Sequence, residues 1–148
     1  MFKFEHSLYL DVPKNELFKI LTDYTKLKQL LPDQVKTIKI ISESDIQTIT
    51  EEHLIFNTYF KNQKIIQQTS HEIITDEKII NTVVEGPFKN SSLEIHLKSQ
   101  NNGTQINLIG ACKIPIKYFI LTNVIKKYYK AFSIAVFYKI QNFYNSYS

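Results

Sequence analysis

Apolar and polar residues alternate through residues 2–12, with Phe2, Phe4, Leu8 and Leu10 on one parity. A period of two is that of a strand with one face buried. Pro13 ends it, because proline fixes φ and lacks the N–H that a ladder needs. The period then changes. Leu17, Phe18, Leu21 and Tyr24, followed by Leu27, Leu30 and Leu31 up to Pro32, predict two short amphipathic helices broken near residues 23–25. Alternating runs return at 35–41, 46–56, 59–74, 79–85, 88–98 and 104–114. Ser42 to Asp45, Thr75 to Lys78, Gly86-Pro87 and the Asn102-Gly103 pair punctuate them, the last supplying the positive φ of a tight hairpin.

Residues 116–147 contain no glycine, no proline and no acidic residue. Tyr118, Leu121, Ile125, Tyr128, Phe132, Val136 and Phe143 fall at helical spacing, predicting a helix of roughly 45 Å. A second apolar set, Phe119, Ile134, Phe137 and Tyr144, lies round the other side among Lys126, Lys127 and Lys130. The expected fold is α+β: a seven-stranded antiparallel sheet covered by a long C-terminal helix, with two short helices between the first and second strands. The whole chain, 1–148, reads as one domain.

One strand breaks the alternation. Gln67, Gln68, Thr69, Ser70, His71 and Glu72 put polar groups on both faces between apolar ends. Such a strand suits a partly hydrated cavity better than a dry core. Whichever of His71 and Glu72 points inward is a candidate acid or base, since burial beside a ligand moves a pKa toward neutrality; the plainer reading is a group that satisfies a hydrogen bond.

Composition narrows the classes. Cys112 is the only cysteine, so neither an internal disulfide nor a cysteine metal cage exists. Glu51 with His53, and Glu94 with His96, share strand faces but supply too few ligands for a metal. No phosphate-binding glycine loop or nucleophile triad is present, and no cofactor is implied. All eighteen basic residues are lysine. Charge is uneven, net −3 up to Glu85 and +7 from Gly86 onward. A basic end without arginine or a recognition motif disfavours nucleic acid and leaves the sheet's own edges, a homodimer or an anionic membrane surface to cover the second face of the last helix. The charged N-terminus lacks the apolar run of a signal peptide, and the lysines interrupt any span of about 20 apolar residues, so a cytoplasmic protein is expected.

The order strand, two short helices, six strands, long helix resembles the helix-grip fold of the START-like superfamily, also called SRPBCC. The block Val12-Pro13, Leu17-Phe18, Asp23-Tyr24, Leu27, Leu30 and Pro32 is similar to the opening of its polyketide-cyclase and coenzyme-Q-binding, lipid-transport-like branches. The chain departs from many relatives in having neither Trp nor Arg. The resemblance implies a sheet curled round the long helix and a cavity between them for a lipid-, quinone- or isoprenoid-like molecule. It leaves open whether the cavity carries a ligand, serves a small cyclase- or dehydratase-type enzyme, or is vestigial in an interaction module. Turns at 56–59, 85–90 and 115–119 would gather at the cavity mouth, with Phe56, Tyr59, Phe88 and Phe119 at its rim. Gln67, Thr69, His71, Ile95, Leu108 and Tyr128 would line its walls.

Overall fold

The computed structural model describes residues 1–57 and 62–147. Strand β1 (Phe2–Leu10) leads through Pro13 into α1 (Lys14–Leu21), a 3₁₀ turn (Tyr24–Lys26) and α2 (Leu27–Leu30). Then come β2 (Val35–Glu43), β3 (Gln47–Asn57), β4 (Asn62–Thr75), β5 (Lys78–Glu85), β6 (Ser92–Gln100) and β7 (Gly103–Cys112). A second 3₁₀ segment (Ile116–Leu121) precedes α3 (Thr122–Tyr147). The strands form one antiparallel sheet in the order β1-β7-β6-β5-β4-β3-β2. It is curved, matching the helix-grip expectation, and α3 lies across its inner face.

The inner face is dry where β1, β6 and β7 meet. Phe4, Leu8, Leu10, Leu97, Ile106 and Leu108 pack there with Phe137 and Ile140 of α3. Gly110 lies opposite Phe4 in the ladder, and the Phe4 ring occupies the space that a side chain at 110 would need. Close packing of ring on backbone is the reason for glycine at that point.

Four local expectations change. The long helix does not begin at 116: Tyr118 N–H bonds to Pro115 O at 3.0 Å, an i to i+3 contact, and the Thr122 hydroxyl takes Phe119 O at 2.6 Å. Side-chain capping of that carbonyl accompanies the change from 3₁₀ to α winding. Its core stripe is also rotated. Ile125, Tyr129, Ser133, Phe137 and Ile140 face the sheet, so Phe137 is 1% exposed and belongs to the core, with Ile134 and Tyr144 packed against it. Tyr128 and Phe132 sit on the neighbouring flank. Several aromatics on adjacent stripes made the two faces hard to separate by periodicity alone.

The β6 run starts at Ser92 rather than 88, because Gly86 (φ 120°) and Asn90 (φ 76°) make a turn closed by Asn90 N–H to Val83 O at 2.8 Å. In the β6–β7 hairpin the positive φ values belong to Asn101 (50°) and Asn102 (68°), with Gly103 already in the strand opposite Gln100. Edge strand β2 carries two register shifts against β3, between Val35 and Thr37 and between Ile40 and Ser42.

Candidate functional site

Between the sheet and α3 the packing opens into two adjoining chambers. The front chamber, about 140 Å³, lies by the 86–90 turn and is lined by Ile65, Phe88, Cys112, Ile125 and Tyr128 among others. The rear chamber, about 200 Å³, lies beneath the short helices, with Tyr24, Leu30, Ile95 and Val136 in its wall. Leu54, Gln67, Val83, Ser91, Tyr129 and Phe132 belong to both.

At the front, the turn and the 3₁₀ segment meet: Phe88 stacks on Tyr118 with centroids 5.8 Å apart. The Tyr128 hydroxyl donates to Ile55 O at 3.3 Å, tying α3 to the end of β3, and Tyr129 donates to Ser92 O at 2.6 Å. Phe119 faces solvent and is 74% exposed, because the tight 3₁₀ winding turns it away from the chamber. Leu108 is fully buried in the dry core and lines neither chamber. It sits one strand beyond its ladder partner Ile95, which does reach the rear wall. Gln67, Thr69, His71, Phe88 and Tyr128 are brought to the chambers as well. The backbone of Phe56 pairs with Gln63 at the end of β3, and Tyr59 lies outside the described residues.

The rear chamber has a polar floor. Antiparallel register sets Thr50 opposite Thr69, Glu52 opposite Gln67, and Thr48 opposite His71, all on the inner face. Glu52, 4% exposed, accepts from Thr50 Oγ1 at 3.0 Å and from Thr69 Oγ1 at 3.1 Å. His71 Nε2 meets Thr50 Oγ1 at 2.7 Å, and its Nδ1 meets Asn81 Oδ1 of β5 at 2.8 Å. The Tyr24 ring stacks on the imidazole at 4.1 Å. Its hydroxyl is buried without a hydrogen-bond partner.

Burial sets the charges of this floor. Loss of water pushes the Glu52 carboxyl up to about 7 against the pull of its two threonine bonds. The same cause drives the His71 imidazole down to about 4, although the Asn81 bond favours its charged form. Glu52 Oε1 and His71 Nε2 lie 4.0 Å apart, the separation of an ion pair. With both groups pushed toward neutrality, the pair is uncharged between those two values. Burial likewise pushes Tyr24 up to about 12, Glu43 adding to the effect, so its phenol stays protonated.

Glu72 faces the other side of β4 from His71, which settles the earlier choice between them. Glu52 was missed. Thr50, Glu51, Glu52 and His53 are polar on both parities, and only the cross-strand register distinguishes them. The Thr48, Thr50, Glu52 parity, set against the polar run 67–72, was the available signal. Among the described residues no three His, Cys, Asp or Glu side chains gather to hold a metal, and no helix is long and apolar enough to cross a membrane.

No protein-family model matches the sequence, and no curated protein matches it. Solved structures do match in shape. A protein of Thermus thermophilus superposes with a TM-score of 0.78 at 16% identity, over 95% of this chain and 94% of that one. The Zhui aromatase/cyclase of a Streptomyces species gives 0.70 at 15% identity, over 91% and 90%. A START superfamily protein of Mycobacterium smegmatis gives 0.71 at 12% identity, over 99% of each chain. These likenesses, on top of the element order and the sheet gripping α3, identify the fold of this chain as the START-like helix-grip fold.

Proposed function

We propose that this protein binds a hydrophobic small molecule, lipid-, quinone- or isoprenoid-like, in the paired chambers between the sheet and α3. One observation carries the reading: an interior cavity whose walls are mainly apolar and whose polar groups are concentrated at one end. Apolar walls supply affinity at about 25 cal/mol per Å² of ligand surface removed from water, before ordering costs. A local polar cluster sets orientation. Native mass spectrometry of protein purified from its own host tests this. A co-purified apolar molecule that is lost on Phe132→Trp, which fills the wall shared by the chambers, supports it; a protein that is empty and takes up no apolar ligand overturns it.

The cyclase- or dehydratase-type alternative is favoured by the buried Glu52–Thr50–His71 chain, because a carboxyl held near neutral pH is suited to proton transfer. An interaction role has narrower support. Ile116, Phe119 and Ile120 are 91%, 74% and 93% exposed beside Lys113 and Lys117, a combination that fits transient contact with an anionic membrane during ligand exchange. A homodimer would draw on the same exposed segment, since Phe137, Ile134 and Tyr144 are already packed inside.

A further inference from the structure

Among the described residues, the wall common to both chambers holds the polar side chains of Gln67, Ser91 and Tyr129. Two of them are committed elsewhere. The Tyr129 O–H donates to Ser92 O at 2.6 Å, and Ser91, 2% exposed, accepts Lys113 N–H on its Oγ at 2.8 Å. Gln67 differs. Its Nε2 makes one long contact, 3.4 Å to Thr69 Oγ1, and its Oε1 has no hydrogen-bond partner among the described residues. That oxygen is not sealed in protein as the Tyr24 hydroxyl is, and the side chain is half-buried on the inner face of the sheet. Thr50, Glu52, Thr69, His71 and Asn81 of the rear floor are bonded to one another, and Gln67 stands at the edge of their network.

The ladder fixes where Gln67 sits. It lies opposite Glu52 of β3, and on its other side the β4–β5 register shifts between Gln68 and Thr69. Gly86, at φ 120°, fills that irregularity so closely that a Cβ there would come 2.9 Å from Gln67 Cβ. The stem is therefore held by backbone while the carboxamide ends free. A carboxamide offers two N–H donors and an oxygen with two lone pairs, and one long bond leaves most of that capacity unused. Whichever way the amide is turned about its last bond, a polar atom faces the cavity. A hydroxyl serves either orientation, because it both donates and accepts. A bound hydrocarbon would displace water from the amide and leave it unpaired, whereas a ligand with a hydroxyl at that point replaces the lost bond.

We propose that Gln67 is the specificity-determining residue of the cavity, and that its ligand is a neutral, otherwise apolar molecule carrying a hydroxyl between two apolar parts, one for each chamber. This rests on the cavity-binding reading above and adds the place and chemistry of the ligand's polar group. Leu54, Val83 and Phe132 surround the amide with apolar wall. No lysine lines either chamber among the described residues, so an anion there would lack a cation.

The test uses the full chain and three probes of one shape: benzhydrol, diphenylmethane and diphenylacetate, in which two rings flank a carbon bearing a hydroxyl, a hydrogen or a carboxylate. Isothermal titration calorimetry of wild type and Gln67→Leu forms a cycle in which the probes' different hydration cancels. The substitution should weaken benzhydrol about three- to tenfold, the range of one neutral hydrogen bond, and leave diphenylmethane as tight or tighter. Gln67→Met, unbranched and apolar, should do the same and replaces the leucine variant if that one folds poorly. Diphenylacetate should bind the wild type more weakly than benzhydrol; tighter binding overturns the neutral class. If substitution changes benzhydrol and diphenylmethane alike, Gln67 is only structural and the inference is overturned while the cavity reading stands. If none of the probes binds, both fail.

Discussion

The two halves of the inner sheet face share one ladder and one helix yet differ in chemistry. On the β1–β7–β6 half, Phe4, Leu10, Ile106 and Leu108 close against Phe137 and Ile140, which also border the rear chamber. On the β3–β4–β5 half, Thr50, Glu52, Thr69, His71 and Asn81 occupy equivalent inward positions and the packing opens into the rear chamber. Apolar side chains of one half hold the fold, and hydrogen-bonded polar side chains of the other line the rear chamber. The lesson concerns placement. Apart from the Tyr24 hydroxyl, the described polar side chains buried beside the cavity are hydrogen-bonded, so the polar half is ordered by its network as the dry half is by its volume.

The largest break in this comparison comes from the dry half. Phe137→Ala should cost about 3–5 kcal/mol of stability in urea unfolding, because it leaves a cavity in a packed core.

Next comes the opposed titration of Glu52 and His71. The folded-state pKa of Glu52, about 7, lies above its unfolded value of 4.5, so its contribution is present below 4.5 and is lost as pH rises toward 7. That of His71, about 4, lies below its unfolded value of 6.5, so its contribution is present above 6.5 and is lost as pH falls toward 4. Between 4.5 and 6.5 the two slopes oppose each other. Glu52→Gln should therefore expose a loss of stability on acidification, by at most about 1.4 kcal/mol per pH unit. His71→Gln should expose the reverse slope. Thermal unfolding across this pH range checks both, and parallel curves for the two variants would show that the polar half does not titrate as described.

A smaller effect is expected from Thr50→Val, which keeps shape but strands Glu52 Oε1 and His71 Nε2. A loss of about 1–3 kcal/mol should follow, with the sheet unchanged by circular dichroism. Smallest is Phe119→Ser: stability should move by no more than about 0.5 kcal/mol, since the side chain is 74% exposed. Its readout is vesicle co-sedimentation with anionic lipid, which should drop if the mouth segment touches membranes and stay constant if it does not.

The sequence made the architecture legible because each element carries its own period and its own stop: Pro13, Gly86 and the Asn101-Asn102 turn are punctuation that acts locally. The polar run 67–72 likewise announced a cavity. What local pattern could not supply was register. Whether Glu51 or Glu52 turns inward depends on pairing with Gln67 and Gln68, a contact between residues far apart in the chain. The same limit misplaced Phe119 and Leu108, one turned outward by 3₁₀ winding and the other carried one strand past the cavity wall.

The shifts in β2 have a consequence for how copies of this protein meet at high concentration. This outermost strand exposes Ile40 and Ile41, 37% and 46% accessible, along a free ladder edge, the arrangement by which sheets recruit one another into aggregates. Its two irregularities, together with Lys36 and Lys39, spoil the straight, uncharged edge that a second copy would need as a template. Resistance to edge-to-edge pairing is thus built into the strand farthest from the dry core, and straightening β2 by deleting a residue at either shift should favour such pairing.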